Sequence, residues 1–326
     1  MGWQLASTNL ATDSNTWREA GFNYYGYNYY LRNRFGGRVQ KVSVDAGFTC
    51  PNVDGTVALG GCNFCDNRSF SPSRRGPRTP ITEQIDQGIH WLRKRYDCDR
   101  FLAYFQPATN TYAPVEKLRR LYSQALAHPQ IVGLVIGTRP DCVPEDVLAL
   151  IEELARNTYV SLEYGMQSMH DRSLAWMNRG QNHASFVDAM QRSRGRGFEL
   201  CAHVILGIPG ETRDDMLATA EELARVRIDA VKIHNLYAVR ETPLGDQYER
   251  GEIKLMEFEE YIEVLVDVLE RLPPTTIVER ISGDAPDDFF LGPRWCVDRK
   301  PAVRLALDSE FKRRGSIQGS RFQASI

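Results

Sequence analysis

The chain has 326 residues, 42% of them hydrophobic and 25% charged, with a net charge of −2. This composition excludes the disordered and fibrous classes, allows one large domain or two average ones, and gives the whole molecule no electrostatic case for a polyanionic partner. No apolar run approaches the roughly 18 residues of a membrane span, so no membrane partner is expected.

The N-terminus, MGWQLASTNLATDSNTW, lacks the basic start and apolar core of a secretory signal. MGWQLAS meets a myristoylation pattern only out of register, and that reading is discounted. The expected location is cytoplasmic, where thiols stay reduced. Of seven cysteines in such a compartment, any cluster points to a metal or to catalysis, and single ones to burial.

From about residue 40, short β-rich runs alternate with helical patterns. The runs are QKVSVDA (40–46), FLAYFQ (101–106), IVGLVIGT (131–138), YVSLEYG (159–165), LCAHVILG (200–207) and AVKIHNLY (230–237). Between them ITEQIDQGIHWLRKRY, VEKLRRLYSQALA, PEDVLALIEELAR, HASFVDAMQRSRGRG and RDDMLATAEELARV repeat apolar residues at helical spacing. Successive strand–helix units imply a parallel sheet with right-handed crossovers. No G-x-G-x-x-G follows a strand, so the expected fold is α/β, a partial (β/α)6 TIM-like barrel rather than an open nucleotide-binding sheet. Residues 1–35 form an N-terminal extension, 36–272 the core, and 273–326 an irregular C-terminal extension packed on the barrel.

Reactive groups in such a barrel gather where the strands end. That edge holds Asp45, Gln106, Thr138, Arg139, Glu163, Gln167, Gly207 and Tyr237. The loop after the first strand, GFTCPNVDGTVALGGCNFC, places Cys50, Cys62 and Cys65 in a Cys-x11-Cys-x2-Cys spacing among four glycines. Thiolates are soft ligands that suit zinc or iron–sulfur clusters. A tetrahedral zinc lacks an obvious fourth ligand here, whereas three cysteines can hold three irons of a 4Fe–4S cluster and leave the fourth open. Structural zinc with a distant fourth ligand is the alternative. Cys98, Cys142, Cys201 and Cys296 are scattered and read as buried thiols.

This loop, together with FQPATNTYAP, IGTRPDCVPEDV, LEYGMQSMHDRSLAWMNRG and HVILGIPGET in that order, resembles the radical S-adenosylmethionine (SAM) superfamily. The widened first gap is similar to that of the Elongator catalytic-subunit branch and the bacterial YhcC/YtqA-like proteins. The absence of an acetyltransferase region favours the latter. The resemblance covers roughly residues 20–320. It implies one 4Fe–4S cluster on Cys50, Cys62 and Cys65, with SAM on the open iron. It implies reductive cleavage of SAM to a 5′-deoxyadenosyl radical, with an electron donor such as flavodoxin or ferredoxin. SAM contacts are implied at Phe64 and Gly207 for the adenine, at Gln106, Thr109 and Asn110 for the amino group, and at Gln167 and Arg179 for the ribose and carboxylate. His203 stands where some relatives carry an acid near the ribose. Pro107 and Ala108 replace glycines of the usual turn.

Residues 68–100 hold eight Lys/Arg against four Asp/Glu, including Arg74, Arg75 and Arg78. Lys312, Arg313, Arg314 and Arg321 follow in the tail, and Tyr24, Tyr25, Tyr27, Tyr29 and Tyr30 crowd the start. Basic groups beside aromatics suit RNA; a solvated surface and packed tyrosines are the plain alternative. With the resemblance, the expected substrate is the C5 side chain of a tRNA wobble uridine. A small-molecule or protein substrate, or a non-enzymatic zinc-stabilised RNA-binding barrel, are the other readings.

Overall fold

The computed structural model describes residues 16–324; the N-terminal MGWQLAS lies outside them. Nine strands follow in chain order: β1 (Val39–Val44), β2 (Arg100–Phe105), β3 (Ile131–Thr138), β4 (Tyr159–Gln167), β5 (Glu199–Leu206), β6 (Ala230–Asn235), β7 (Ala238–Val239), β8 (Ile277–Arg280) and β9 (Phe290–Gly292). Seven form one parallel sheet in the order β1-β2-β3-β4-β5-β6-β8. Sequential parallel order with helical crossovers curls the sheet into a half-barrel, the fold expected from the alternating pattern. β7 and β9 make a separate antiparallel pair.

The helices form where the apolar spacing places them. In Val115–Leu126 the residues at helical spacing, Leu118, Tyr122 and Ala125, are the buried ones. Helix Arg213–Arg225 starts on a capping box, Thr212 with Asp215, directly after the glycine turn of GIPGE. Helix Phe258–Arg271 and the C-terminal helix Lys300–Arg314 pack on one another outside the sheet.

The C-terminal region departs from expectation. It is ordered, supplying β8, β9 and a 15-residue helix, so the sheet continues past residue 272. Its basic residues are largely neutralised: Arg313 pairs with Glu310, Arg314 with Asp267 and Glu310, and Arg321 with Glu270. The N-terminal tyrosines are likewise structural. The segment before β1 bridges the open seam of the sheet: Gly26 pairs with Val278, and helix Tyr27–Phe35 touches β1 and β8. Tyr25, Tyr27 and Tyr30 pack with Val39, Leu102, Tyr104, Tyr159 and Ile277 at the end where strands begin. Tyr27 and Tyr30 stack on each other at 6.2 Å. Apolar ring faces near the start of a barrel close its base, which removes them as platforms for RNA bases.

The same base holds Glu199, which accepts a hydrogen bond from the Tyr159 hydroxyl at 2.7 Å. Burial first, then the nearby Glu279, raises its pKa to about 7. A raised carboxyl holds its proton longer folded than unfolded, so the native state binds more protons between about pH 4.3 and 7. Stability therefore falls as pH rises through that window. Glu199→Gln keeps the acceptor and removes the charge. We expect this variant to exceed wild type in stability at pH 8, by on the order of 3–4 kcal/mol, and to match it near pH 4. Comparing denaturation midpoints of the two proteins cancels every other titrating group; a difference that does not change with pH would refute the assignment.

Candidate functional site

Strand parity builds the interior from below. Side chains alternate along a strand, so Lys41 on β1, Tyr104 on β2, Glu163 on β4, His203 on β5, Lys232 on β6 and Glu279 on β8 face inward in one layer. Lys232 Nζ lies 2.6 and 2.5 Å from the Glu163 oxygens, and Lys41 Nζ lies 3.0 Å from Glu163 and 2.5 Å from Glu279. His203 Nε2 is 2.8 Å from Glu163, and Lys232 also donates to the Tyr104 hydroxyl at 3.1 Å. Burial alone would raise the Glu163 carboxyl, but Lys232 and Lys41 outweigh it and hold the group well below the usual carboxylate range. Glu163 therefore lies beneath the rim, not on it. Glu163, Cys201 and His203 have ligating atoms within 4.8 Å of one another. The two ammonium groups on Glu163 occupy the space and cancel the charge a cation would need there.

Above this layer the cysteine loop covers the strand ends. Asp45, buried after β1, accepts from Gly47 N at 2.8 Å and pairs with Arg74 at 2.8 Å. Arg74 also donates to Phe48 O, so its guanidinium is spent on the entry to the loop. Asn52 donates to Asn178 O and to Cys62 Sγ, and Asn178 donates back to Gly61 O. Asn63 donates to Met177 O through its backbone and to Trp176 O through its side chain. These bonds tie the three-cysteine loop to the segment after β4. Phe64, half-buried, packs beside Leu174, Met177 and Leu244.

The cysteines share a neighbourhood. Although Cys65 is exposed at the surface of the loop, desolvation of its sulfur among its neighbours, then the adjacent Cys62, raises its thiol above the ordinary value, with Cys50 acting the same way and Arg179 opposing. Three thiolates gathered like this call for a cation. Three thiolates on one zinc would stand about 3.8 Å apart, from a Zn–S bond near 2.3 Å in a tetrahedron. The three sulfurs do not form such a group: among the described residues the one ligand set within 4.8 Å is that of Glu163, Cys201 and His203. A sulfur pair farther apart than one zinc spans fits a multi-iron cluster better than structural zinc. The other four cysteines are buried and unpaired.

The residues expected around SAM fall into two sets. Gln167 and Arg179 meet at Gly165: a Cβ built there would lie 3.0 Å from Gln167 Nε2 and 3.0 Å from Arg179 Nη2. The missing side chain leaves a cradle between two polar groups. Gln167 itself has φ 69°, a left-handed backbone held at the bulge that ends β4. Arg179 reaches Cys62 Sγ at 3.4 Å and Gly165 O at 2.8 Å, and its buried Nε has no partner. Gln106, Thr109 and Asn110 form the second set, on the loop after β2. Gln106 accepts from Ser43 at 3.4 Å, Thr109 N bonds Thr49 O, and Asn110 donates to Gly137 O. Thr109 Oγ1 and Asn110 Oδ1 are buried without partners, as a ligand's donors would require. Ala108, where a glycine was expected, adopts the left-handed φ of 64° itself. Gly207 has φ 83° and faces Met256. His203 commits Nε2 to Glu163, leaving only Nδ1 for any contact above.

Sequence reasoning set Arg139 at the strand edge but gave it no role; it donates to Arg179 O at 2.7 Å while paired with Asp141, and so sets the backbone from which Arg179 extends. Its place beside Thr138 at a strand end was the available signal.

The comparisons agree with this geometry. Residues 58–223 match the model of the radical SAM superfamily, and 228–312 that of the radical SAM C-terminal domain. The chain is 40% identical over 301 residues to the uncharacterized protein YtqA of Bacillus subtilis, covering 92% of this chain and 93% of that one. It is 38% identical over 291 residues to protein YhcC of Escherichia coli, covering 89% and 92%. A tRNA uridine(34) acetyltransferase of Methanocaldococcus jannaschii is 28% identical over 163 residues, 49% of this chain but only 30% of that protein. Among solved structures, the archaeal Elp3 of Methanocaldococcus infernus superposes with a TM-score of 0.62 over 86% of this chain and 64% of that one, at 20% identity, which bears on the fold alone. Two family models in tandem over most of the chain, on a half-barrel with three cysteines at its mouth, place this chain in the radical SAM superfamily.

Proposed function

We propose that the chain acts on tRNA, abstracting hydrogen from the C5 side chain of a wobble uridine. The observation that carries the chemistry is the loop that gathers Cys50, Cys62 and Cys65, joined to the Gly165 cradle through Arg179, which bonds both Cys62 Sγ and Gly165 O. A bound 4Fe–4S cluster and SAM would supply a 5′-deoxyadenosyl radical after one-electron reduction. The chain's own residues then divide the work. The three cysteines hold the cluster. Arg179 offers a cation to the SAM carboxylate, and Gln167 a hydrogen bond. Phe64 and Gly207 border the adenine, and Gln106, Thr109 and Asn110 the amino end. The electron would come from a carrier of the flavodoxin or ferredoxin kind. Among the described residues no helix is long and apolar enough to cross a membrane. The tRNA reading draws support from the similarity to the tRNA uridine(34) acetyltransferase over the shared half of the chain. Comparative mass spectrometry of tRNA nucleosides from a deletion strain tests it. A uridine derivative should accumulate at the wobble position, and an unchanged nucleoside profile would redirect the search to a small molecule or protein.

Arg179→Ala leaves the SAM carboxylate without its charge partner. Losing a charge-assisted bond costs on the order of 1.5–3 kcal/mol, so SAM affinity should fall roughly ten- to a hundredfold. The three cysteines remain, and the cluster should still assemble. Equilibrium binding of SAM to cluster-loaded protein measures this, and unchanged affinity would remove Arg179 from the site.

For tRNA phosphates, the basic strip narrows. Arg75 donates to Arg68 O and Ser69 O while lying 5.2 Å over Phe289, and Arg78 lies across Gly47. With Arg74 bound to Asp45, Arg75 and Arg78 carry the expectation. The double variant Arg75→Ala/Arg78→Ala should flatten the salt dependence of tRNA binding by roughly 0.7–0.9 per lost contact. Equal slopes across a salt series would contradict it.

A further inference from the structure

The geometry points to His234 and Arg280 as the pair that grips an anionic group of the substrate at the floor of the barrel mouth. The inference rests on the mouth being the reaction chamber, and not on the substrate being RNA.

The ionic layer below is closed. Glu163 and Glu279 balance Lys41 and Lys232, so it needs no ligand. One step up the strands, parity brings Ser43, Gln106, Gly137, Gly165, Ile205 and His234 to the same interior face. Three of these six are small or lack a side chain, which leaves room beside Gly137 and Gly165. His234 is the one ionisable group among them. It stacks on His203 with ring centroids 5.5 Å apart and an interplanar angle of 26°. His203 is fixed from below by Glu163, so the stack is braced. His234 Nε2 is buried and has no hydrogen-bond partner. Such atoms are uncommon in native proteins and call for a reason. On the other side of the ring, a Cβ built on Gly283 would lie 3.0 Å from His234 Nδ1 and 2.9 Å from Tyr237 Cε1. The chain after β8 therefore passes close over the imidazole, and a larger residue at 283 would press on it.

Arg280 supplies the charge. It ends β8 in register with the inward-facing Lys232, past a register shift that lets Glu279 and Arg280 share one face; it is exposed and has no ion pair among the described residues. Its field reaches His234, His203, Tyr237 and Tyr104. Burial first, and then Arg280, lowers the His234 pKa, so the ring is neutral and can donate one hydrogen bond without adding charge. An unpaired guanidinium on the strand next to an unpartnered ring nitrogen complements a compact anion, which is a carboxylate on the substrate or a phosphate.

Diethylpyrocarbonate labelling of the cluster-loaded, SAM-bound protein under anaerobic conditions tests this. Tryptic cleavage after Lys232 and Arg240 isolates IHNLYAVR, in which His234 is the one histidine. The probes are acetate and inorganic phosphate, added separately. An anion at ten times its dissociation constant should slow labelling of His234 by roughly tenfold. Protection should vanish in Arg280→Gln and persist in part in Arg280→Lys, with iron content and thermal midpoint matching wild type in both. The His203 peptide, with Nε2 tied to Glu163, serves as the internal control. Protection by acetate alone assigns a carboxylate, and by phosphate alone a phosphate. Equal labelling with and without either anion, or protection undiminished in Arg280→Gln, overturns the pair. Because no RNA enters the assay, failure of the tRNA reading leaves this result standing.

Discussion

Cys50→Ala, Cys62→Ala and Cys65→Ala are each expected to abolish 4Fe–4S absorbance and, with it, SAM cleavage. Each cysteine is one of three anchors, and the one compact ligand group among the described residues, Glu163, Cys201 and His203, lies in the layer below and is neutralised by lysines, so it offers no replacement. Alanine at Cys98, Cys142, Cys201 or Cys296 should leave iron content near that of wild type. Cys201 and Cys296 sit in the core, where burial holds their thiols above the ordinary value. Cys142 is the sharpest control, since its sulfur lies against Asp141, the partner of the Arg139 that bonds the backbone of Arg179 behind Cys62. Iron quantitation and visible absorbance after anaerobic reconstitution read the outcome. Loss of the cluster in Cys142→Ala would contradict the three-cysteine assignment.

Glu163→Ala is expected to destabilise the fold severely. Its side chain is fully buried, and removing it strands two lysine ammonium groups with Glu279 alone. Breaking a buried ion pair costs about 3–5 kcal/mol, a large share of the 5–15 kcal/mol that typical domains possess. Removing both signs together should cost less: Glu163→Gln/Lys232→Met eliminates a carboxylate and an ammonium at once. Because the folded Glu163 carboxyl lies well below its unfolded value, its contribution is present above about pH 4.3 and is lost as pH falls further. Chemical denaturation of the three proteins measures these differences. A Glu163→Ala loss under about 1 kcal/mol, or a double variant no better than the single, would refute the account of the layer.

The six strands expected from the sequence are all present because their runs are β-branched or aromatic and buried on both sides, the pattern of a parallel sheet. The seventh, IVER on β8, was illegible for a specific reason. It is four residues long, follows two prolines, and turns Glu279 inward, so it reads as polar loop. The same inversion hid the ionic layer: hydrophobic patterning assigns lysine and glutamate to the surface, whereas Lys232 and Glu163 neutralise each other inside. The tyrosine cluster was ambiguous in the other direction, since a ring that can stack on a base can equally plug a barrel, and nothing local distinguishes them. The cysteine loop was legible because ligand spacing is a local property. The contacts that aim it were not, since Asn52, Asn178 and Arg139 act across more than a hundred or some forty positions of chain.

The most direct test is the formation of 5′-deoxyadenosine by anaerobically reconstituted, chemically reduced protein supplied with SAM. The account predicts 5′-deoxyadenosine and methionine in equal amounts from brown protein carrying about four irons per chain, and none from Cys62→Ala. Colourless protein with one zinc per chain and intact SAM would contradict it.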